Sequence, residues 1–316
     1  MSIMKRNKGM LFVLALLFFA WLLTTADINL NTEQTKQLLG RALLLNSAET
    51  DNLSSRLLQM GNVIFAMEKK QEPQPVKESV PAVVAKTEPS LRNQTSFDID
   101  TAAMLTRPLD FLPVKKGDLP QVLIVHTHTS EGYQPLERTQ DADQNVIAIG
   151  AIIADYLEQQ GVSVIHDQTI HDADYNGSYS RCLETVEARL KENPSIQMVL
   201  DVHRDAATLE DGQSLQVTAD INGTQTGQIM LVAGTNEGGL THPNWETNLA
   251  FALRIQQAMD QYYPGLSRPL NIRKERFNQH LAPGMLIVEV AASGNTLEEA
   301  KEGAELFARS LWTVLK

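Results

Sequence analysis

Residues 122–133 read VLIVHTHTSEGY, an apolar run that passes directly into two histidines and a glutamate. His128 and Glu131 form an H-x-x-E pair just beyond the end of that run, spaced to lie on one turn. LDVHRDA, residues 200–206, delivers His203 at the end of a second apolar run, and LIVEVAAS, residues 286–293, carries Glu289 inside a third. Two imidazoles and one carboxylate are a sufficient protein ligand set for a catalytic zinc, with the fourth position left for water. A second carboxylate suits the general base that such a water needs. His128, Glu131 and His203 are therefore the candidate metal ligands, and Glu289 is the candidate catalytic residue. H-x-x-E alone is a weak signal. Glu289 strengthens it, because Leu286, Ile287, Val288 and Val290 flank it and a buried carboxylate is costly unless paired or metal-bound.

His126 lies two residues before His128, so on an extended chain the two share a face. It can replace His128 as ligand, sit behind it as a partner, or simply be hydrogen-bonded at the strand end. His166, His171, His242 and His280 have structural or surface roles by default, although His280 is near enough in sequence to Glu289 to line the site.

The elements that must hold these residues are legible from about Thr101 onward. Strands are predicted at 121–126, 162–166, 196–203, 227–234 and 285–291, and helices at 145–161, 182–193, 244–263 and 296–316. Continuously apolar strands alternating with helices predict an α/β domain, with a single mostly parallel sheet and helices on both faces. Ligands in such sheets gather at the carboxyl ends of the strands.

The region before this domain has a different character. KRNK at 5–8 precedes MLFVLALLFFAWLL at 10–23, which reads as an uncleaved N-terminal signal anchor over residues 1–28, with a signal peptide cleaved at the small residues Thr24-Thr25-Ala26 as the alternative. The basic flank stays inside, so the chain is expected to be a single-pass membrane protein with its catalytic domain extracytoplasmic. Leucines at helical spacing predict a stalk over 29–68, and a Pro-, Glu- and Lys-rich stretch predicts a disordered linker over 69–100. A formal net charge of −11 argues against nucleic acid as a partner. Cys182 is the one cysteine, which excludes an intrachain disulfide and a Cys-rich zinc site.

HTHTSEGY, LDVHRDA, HPNWETNLAFALRIQQ and LIVEVAASGNTLEEA, in that order, resemble the stage II sporulation protein P family of endospore-forming bacteria. The resemblance covers the last two-thirds of the chain. It implies a membrane-anchored, zinc-dependent peptidoglycan hydrolase of engulfment, similar to the N-acetylmuramoyl-L-alanine amidases. The implied reaction is cleavage of the muramoyl–alanine amide and of peptide crosslinks, beside stage II sporulation proteins D and M. Carried over by position, it makes His128, Glu131 and His203 the zinc ligands and Glu289 the catalytic residue.

Two departures stand out. Related amidases place their glutamate ligand at the start of the next helix, where this chain has Asn145, and Ala291 stands where glycine is expected. Around the metal, Arg204 is a candidate for a stem-peptide carboxylate or for a bridge to Asp205. Asn278 and Gln279 are candidates for substrate amides, and Tyr133 is a candidate oxyanion donor. A zinc carboxypeptidase or endopeptidase, and a non-catalytic wall-binding scaffold, are the competing readings.

Overall fold

The computed structural model describes residues 88–210 and 212–316. The expected anchor (1–28), the expected stalk (29–68) and residues 69–87 of the expected linker lie outside the described residues. Among the described residues no helix is long and apolar enough to cross a membrane.

Nine strands and five α-helices follow one another along these residues. The strands are β1 (Leu91–Asn93), β2 (Gly117–Val125), β3 (Val162–His166), β4 (Met198–Asp205), β5 (Thr218–Ile221), β6 (Thr224–Gly227), β7 (Ile229–Gly234), β8 (Leu270–Arg273) and β9 (Met285–Ala292). The helices are α1 (Thr101–Thr106), α2 (Val146–Gln159), α3 (Ser178–Glu192), α4 (Trp245–Tyr262) and α5 (Leu297–Leu315). Seven strands form one sheet in the order β1-β8-β7-β9-β4-β2-β3. Its pairings are parallel except for β7 against β9. The sheet is thus mixed but mostly parallel. The domain also begins before Thr101, because Leu91, Arg92 and Asn93 pair with Leu270, Asn271 and Ile272.

Strand alternation sorts the side chains between two faces. Ile124, Leu200, Val202, Leu231, Leu286 and Val288 point into the larger core, which α2, α4 and α5 cover. Fully burying an aliphatic side chain of this kind stabilises by about 1.5–3 kcal/mol. Leu123, Val125 and Val199 point the other way and pack on Cys182 and Val186 of α3. The helices differ accordingly. α2 buries Val146, Ile147, Ile149, Ile153, Ala154 and Leu157, whereas α3 buries only Ser178, Cys182 and Val186. α5 starts at a capping box, with the Thr296 hydroxyl accepting from Glu299 N and the Glu299 carboxylate accepting from Thr296 N.

On the α3 face, β4 continues its alternation from Val199 to Asp201 and His203. On β9 the same face carries Ile287 and then Glu289. Register places His203 opposite Glu289 and Glu289 opposite Met230. A row of functional side chains thus crosses the sheet where β4 and β9 reach their carboxyl ends.

Candidate active site

The turn after β2 carries the first two candidate ligands. Glu131 N donates to His128 O at 3.0 Å, so the H-x-x-E pair closes one turn. Asp172 latches this turn from the side. Its carboxylate accepts from Thr129 Oγ1 at 2.9 Å, from Ser130 N at 3.1 Å and from Ser130 Oγ at 2.5 Å, and it pairs with Arg138 at 2.8 Å. Burial alone would raise the Asp172 carboxyl; the hydroxyls and amide of Ser130 and Thr129, with Arg138, outweigh it and hold the group below its usual range.

His128 is oriented from behind. The Ser178 hydroxyl donates to Tyr175 O at 2.7 Å, so the Ser178 oxygen accepts from His128 Nδ1–H at 3.2 Å. That leaves the Nε2 lone pair of His128 free for a ligand. Tyr175 stacks on the ring at 4.4 Å with 5° between planes. Burial lowers the pKa of His128, which favours the neutral form that binds metal.

Glu131 and His203 meet directly, with His203 Nδ1 3.2 Å from Glu131 Oε2. On its other side, His203 Nε2 approaches Asp201 Oδ1 to 2.9 Å, without the alignment of a hydrogen bond. Asp201 is buried and accepts from Thr127 N at 2.8 Å and Thr127 Oγ1 at 2.6 Å. Burial would lower the His203 pKa, but Asp201 and Glu131 outweigh it and raise it well above the ordinary value. Asp201 moves the opposite way, held at about 2 against its own burial by His203 and Thr127. The rings of His128 and His203 lie edge to face at 5.4 Å. Burial pushes Glu289 up to about 8, with His203 opposing and Glu131, Asp205 and Asp201 adding. Its Oε2 is screened from solvent and has no hydrogen-bond partner among the described residues.

Among the described residues no three His, Cys, Asp or Glu side chains already converge as a ligand set. The donors are of the kind that a divalent cation takes, and one pair of them has the matching spacing. Two ligands each about 2.0–2.1 Å from a tetrahedral zinc are roughly 3.3 Å from one another, and His203 Nδ1 and Glu131 Oε2 are 3.2 Å apart. A proton on His203 now bridges that gap; a cation displaces such a proton on binding. The Glu289 oxygen, without a partner among the described residues, is an acceptor that an additional group would satisfy.

Asn145 explains the displaced glutamate. It caps α2, accepting from Ile147 N at 2.8 Å, while Val146 N donates to Glu131 O at 2.9 Å. Glu131 therefore stands beside the N-terminus of this helix in space, although not in sequence. Ala291 has φ 60°, a left-handed conformation that glycine adopts freely.

The other candidates are placed differently from the sequence expectation. His126 is buried, and its Nδ1–H donates to Val202 O at 2.9 Å while its Nε2 accepts from His166 Nε2–H at 2.9 Å. Both nitrogens are committed, so it cannot replace His128 as a ligand. Tyr133 is buried in the core and donates its hydroxyl to Val290 O at 3.0 Å, which removes it as an oxyanion donor. Arg204 neither faces open solvent nor bridges to Asp205. Its Nε and NH2 donate to Gly132 O at 2.9 Å and Glu137 O at 2.8 Å, and its backbone N donates to Glu131 Oε2 at 3.2 Å. Asp205 pairs instead with Arg268. Gln279 is fully engaged, accepting from Gly234 N at 2.8 Å and donating to Val232 O at 2.9 Å. Asn278 donates to Tyr179 O at 2.9 Å. These two amides stitch backbone together rather than offering themselves to a substrate. His171, whose Nδ1–H donates to His126 O at 2.7 Å, is structural as expected.

Sequence reading misses Asp201, Asp172, Ser178, Tyr175 and Tyr179. The D-x-H spacing of Asp201 and His203 carried the one usable signal, since it sets both on a single strand face. The rest reach the site from the segment around the start of α3, and nothing local to that segment marks them.

Similar chains were found among known proteins. The stage II sporulation protein P of Bacillus subtilis (strain 168) is 27% identical over 223 residues, covering 63% of this chain and 53% of the relative. The chain thus spans about half the length of that curated relative. Among solved structures, the amidase AmiC2 of Nostoc punctiforme aligns with a TM-score of 0.39 at 14% identity, over 63% of this chain and 98% of that one. The CwlD amidase of Clostridioides difficile, in complex with the GerS lipoprotein, aligns with 0.39 at 12%, over 61% and 94%. The amidase Ami1 of Mycobacterium smegmatis gives 0.40 at 11%, over 64% and 98%. The model of the family described as stage II sporulation protein P matches residues 34–312, and the chain belongs to that family.

Proposed function

We propose that this chain is a zinc-dependent peptidoglycan hydrolase that cleaves the amide between N-acetylmuramic acid and L-alanine during engulfment. The observation that carries the proposal is the grouping of His128, Glu131 and His203 beside Glu289, an acid whose Oε2 is buried without a partner. Membership of the stage II sporulation protein P family supports the cell wall as the substrate.

His128, Glu131 and His203 would hold the zinc. When bound, the metal supplies Lewis acidity and lowers the pKa of a coordinated water toward about 7. The protein does the rest. Glu289, opposite His203 in the register, accepts the proton of the attacking water and returns it to the leaving amide nitrogen. Asp201 holds charge against His203 and fixes its ring. Ser178 fixes the tautomer of His128, and Arg204 pins the loop that bears Glu131.

The proposal extends to an anchor over residues 1–28, an extracytoplasmic catalytic domain and action beside sporulation proteins D and M. These rest on the apolar N-terminal run and on the family. The test is digestion of purified sacculi by the zinc-loaded full chain, with mass spectrometry of the released fragments. Stem peptides with a free L-alanine amine support the amidase reading. Shortened or uncrosslinked stems alone would make the enzyme a peptidase, and full turnover in excess chelator would remove the metal from the mechanism.

A further inference from the structure

Tyr179 occupies the first turn of α3, one residue after the serine that orients His128. Its ring meets the edge of His128 at 5.6 Å and 90°, and Phe277 backs it at 5.7 Å. Asn278 Nδ2 donates to Tyr179 O at 2.9 Å, which fixes the backbone there. The ring packs beside Met230, Val232 and Ile287, so it leans over the sheet face that carries Glu289. Among the described residues its hydroxyl makes no hydrogen bond. This separates it from Tyr133, whose proton is spent on Val290 O.

Resting on the hydrolase reading above, we propose that Tyr179 is a catalytic residue whose hydroxyl donates a hydrogen bond to the carbonyl oxygen of the scissile amide as negative charge develops there. Burial raises the pKa of the phenol, and the charged groups acting on it are His203, Asp201, Glu289 and Glu131. It therefore remains a neutral donor throughout the working pH range. A phenol held rigidly by Asn278 and Phe277 needs little reorganisation when the charge forms, which is the condition for a strong effect on rate.

Tyr179→Phe removes only the unpartnered oxygen, so the fold and the ring contacts are retained. The test compares the zinc-loaded wild type and Tyr179→Phe on a soluble muropeptide, with kcat, KM, Tm and zinc per chain measured for both. The expected result is a fall in kcat of about 10²–10³-fold with KM, Tm and zinc content unchanged. A kcat within about threefold of wild type overturns the assignment, as does a loss confined to KM. Loss of zinc in the variant also overturns it, because the residue would then serve the metal. An inactive wild type defeats the hydrolase reading, and this inference with it; an active wild type with an equally active variant defeats only the inference.

Discussion

His203 and Glu289 are register partners on adjacent parallel strands, and beyond them the strands fall out of step. Asp205 pairs with Ala292, so β9 carries one more residue than β4 across that interval. Bulges re-aim side chains near active sites, and this one follows Glu289 immediately. Replacing Glu289 by the isosteric glutamine should keep the bulge and remove the proton carrier. Turnover of sacculi is expected to fall by about 10²–10⁴-fold. The melting temperature near pH 7 should hold or rise, because a carboxyl that burial pushes up to about 8 keeps in the fold a proton that the unfolded chain has already released at that pH, a cost that glutamine does not carry.

The residue that closes the bulge, Ala291, has φ 60° and is fully buried. Ala291→Gly relieves a left-handed alanine worth roughly 1–2 kcal/mol, but loses a buried methyl and loosens the unfolded chain by about 0.4–1 kcal/mol. Urea denaturation should therefore show a net change of no more than about 1 kcal/mol. Ala291→Val, branched at Cβ where φ is positive, should lose at least about 2 kcal/mol. Equal stability of the two variants would contradict the strain assigned to this position.

Asp201→Asn retains an acceptor for Thr127 and removes the negative charge beside His203. Zinc affinity, measured by chelator competition, is expected to weaken by about 10–100-fold. An unchanged affinity would mean that Asp201 serves only the turn at Thr127.

The pH dependence of stability has an identifiable contributor in His242. It is buried, neither ring nitrogen has a partner among the described residues, and burial followed by His280 and Arg276 lowers its pKa to about 4. As pH falls through about 6.5 the unfolded chain takes up a proton that the folded chain refuses until near 4. The contribution is thus intact above about 6.5 and is lost between those values, on the order of 3 kcal/mol in all. Urea midpoints at pH 7.5 and pH 5 should differ less for His242→Gln than for wild type. A residual slope is expected from His126, which burial and His166 lower to about 3.

The grouping of His128, Glu131, His203 and Glu289 on one part of the sheet was legible in the sequence, because each interrupts or ends an apolar run, and such interruptions are expensive without a purpose. Polar residues with their own hydrogen-bond partners in other segments were not legible. Tyr133, Gln279 and Arg204 have side chains suited to binding a substrate, yet distant backbone carbonyls occupy them. Tyr179 shows the reverse case, a residue whose only qualification is where the first turn of α3 sets it down. For the fold, alternating apolar strands and helices announced a mostly parallel sheet, but an apolar run has no direction. The reversal of β7 is tied to the β5–β6 hairpin, whose Asn222-Gly223 turn has both φ values positive and leads back to β7 one residue after β6 ends. That Asn-Gly pair was the available clue. Strand β1 escaped notice because LRN is short and only Leu91 packs against the core.

The reversed strand also divides labour between the two rims of the sheet. Whatever follows β7 emerges at the rim opposite His203 and Glu289, so an insertion beside Gly239 and Leu240, both exposed, would not crowd the face that carries those two residues. Diversification among relatives, and any engineered insertion, has a permissive place to go there.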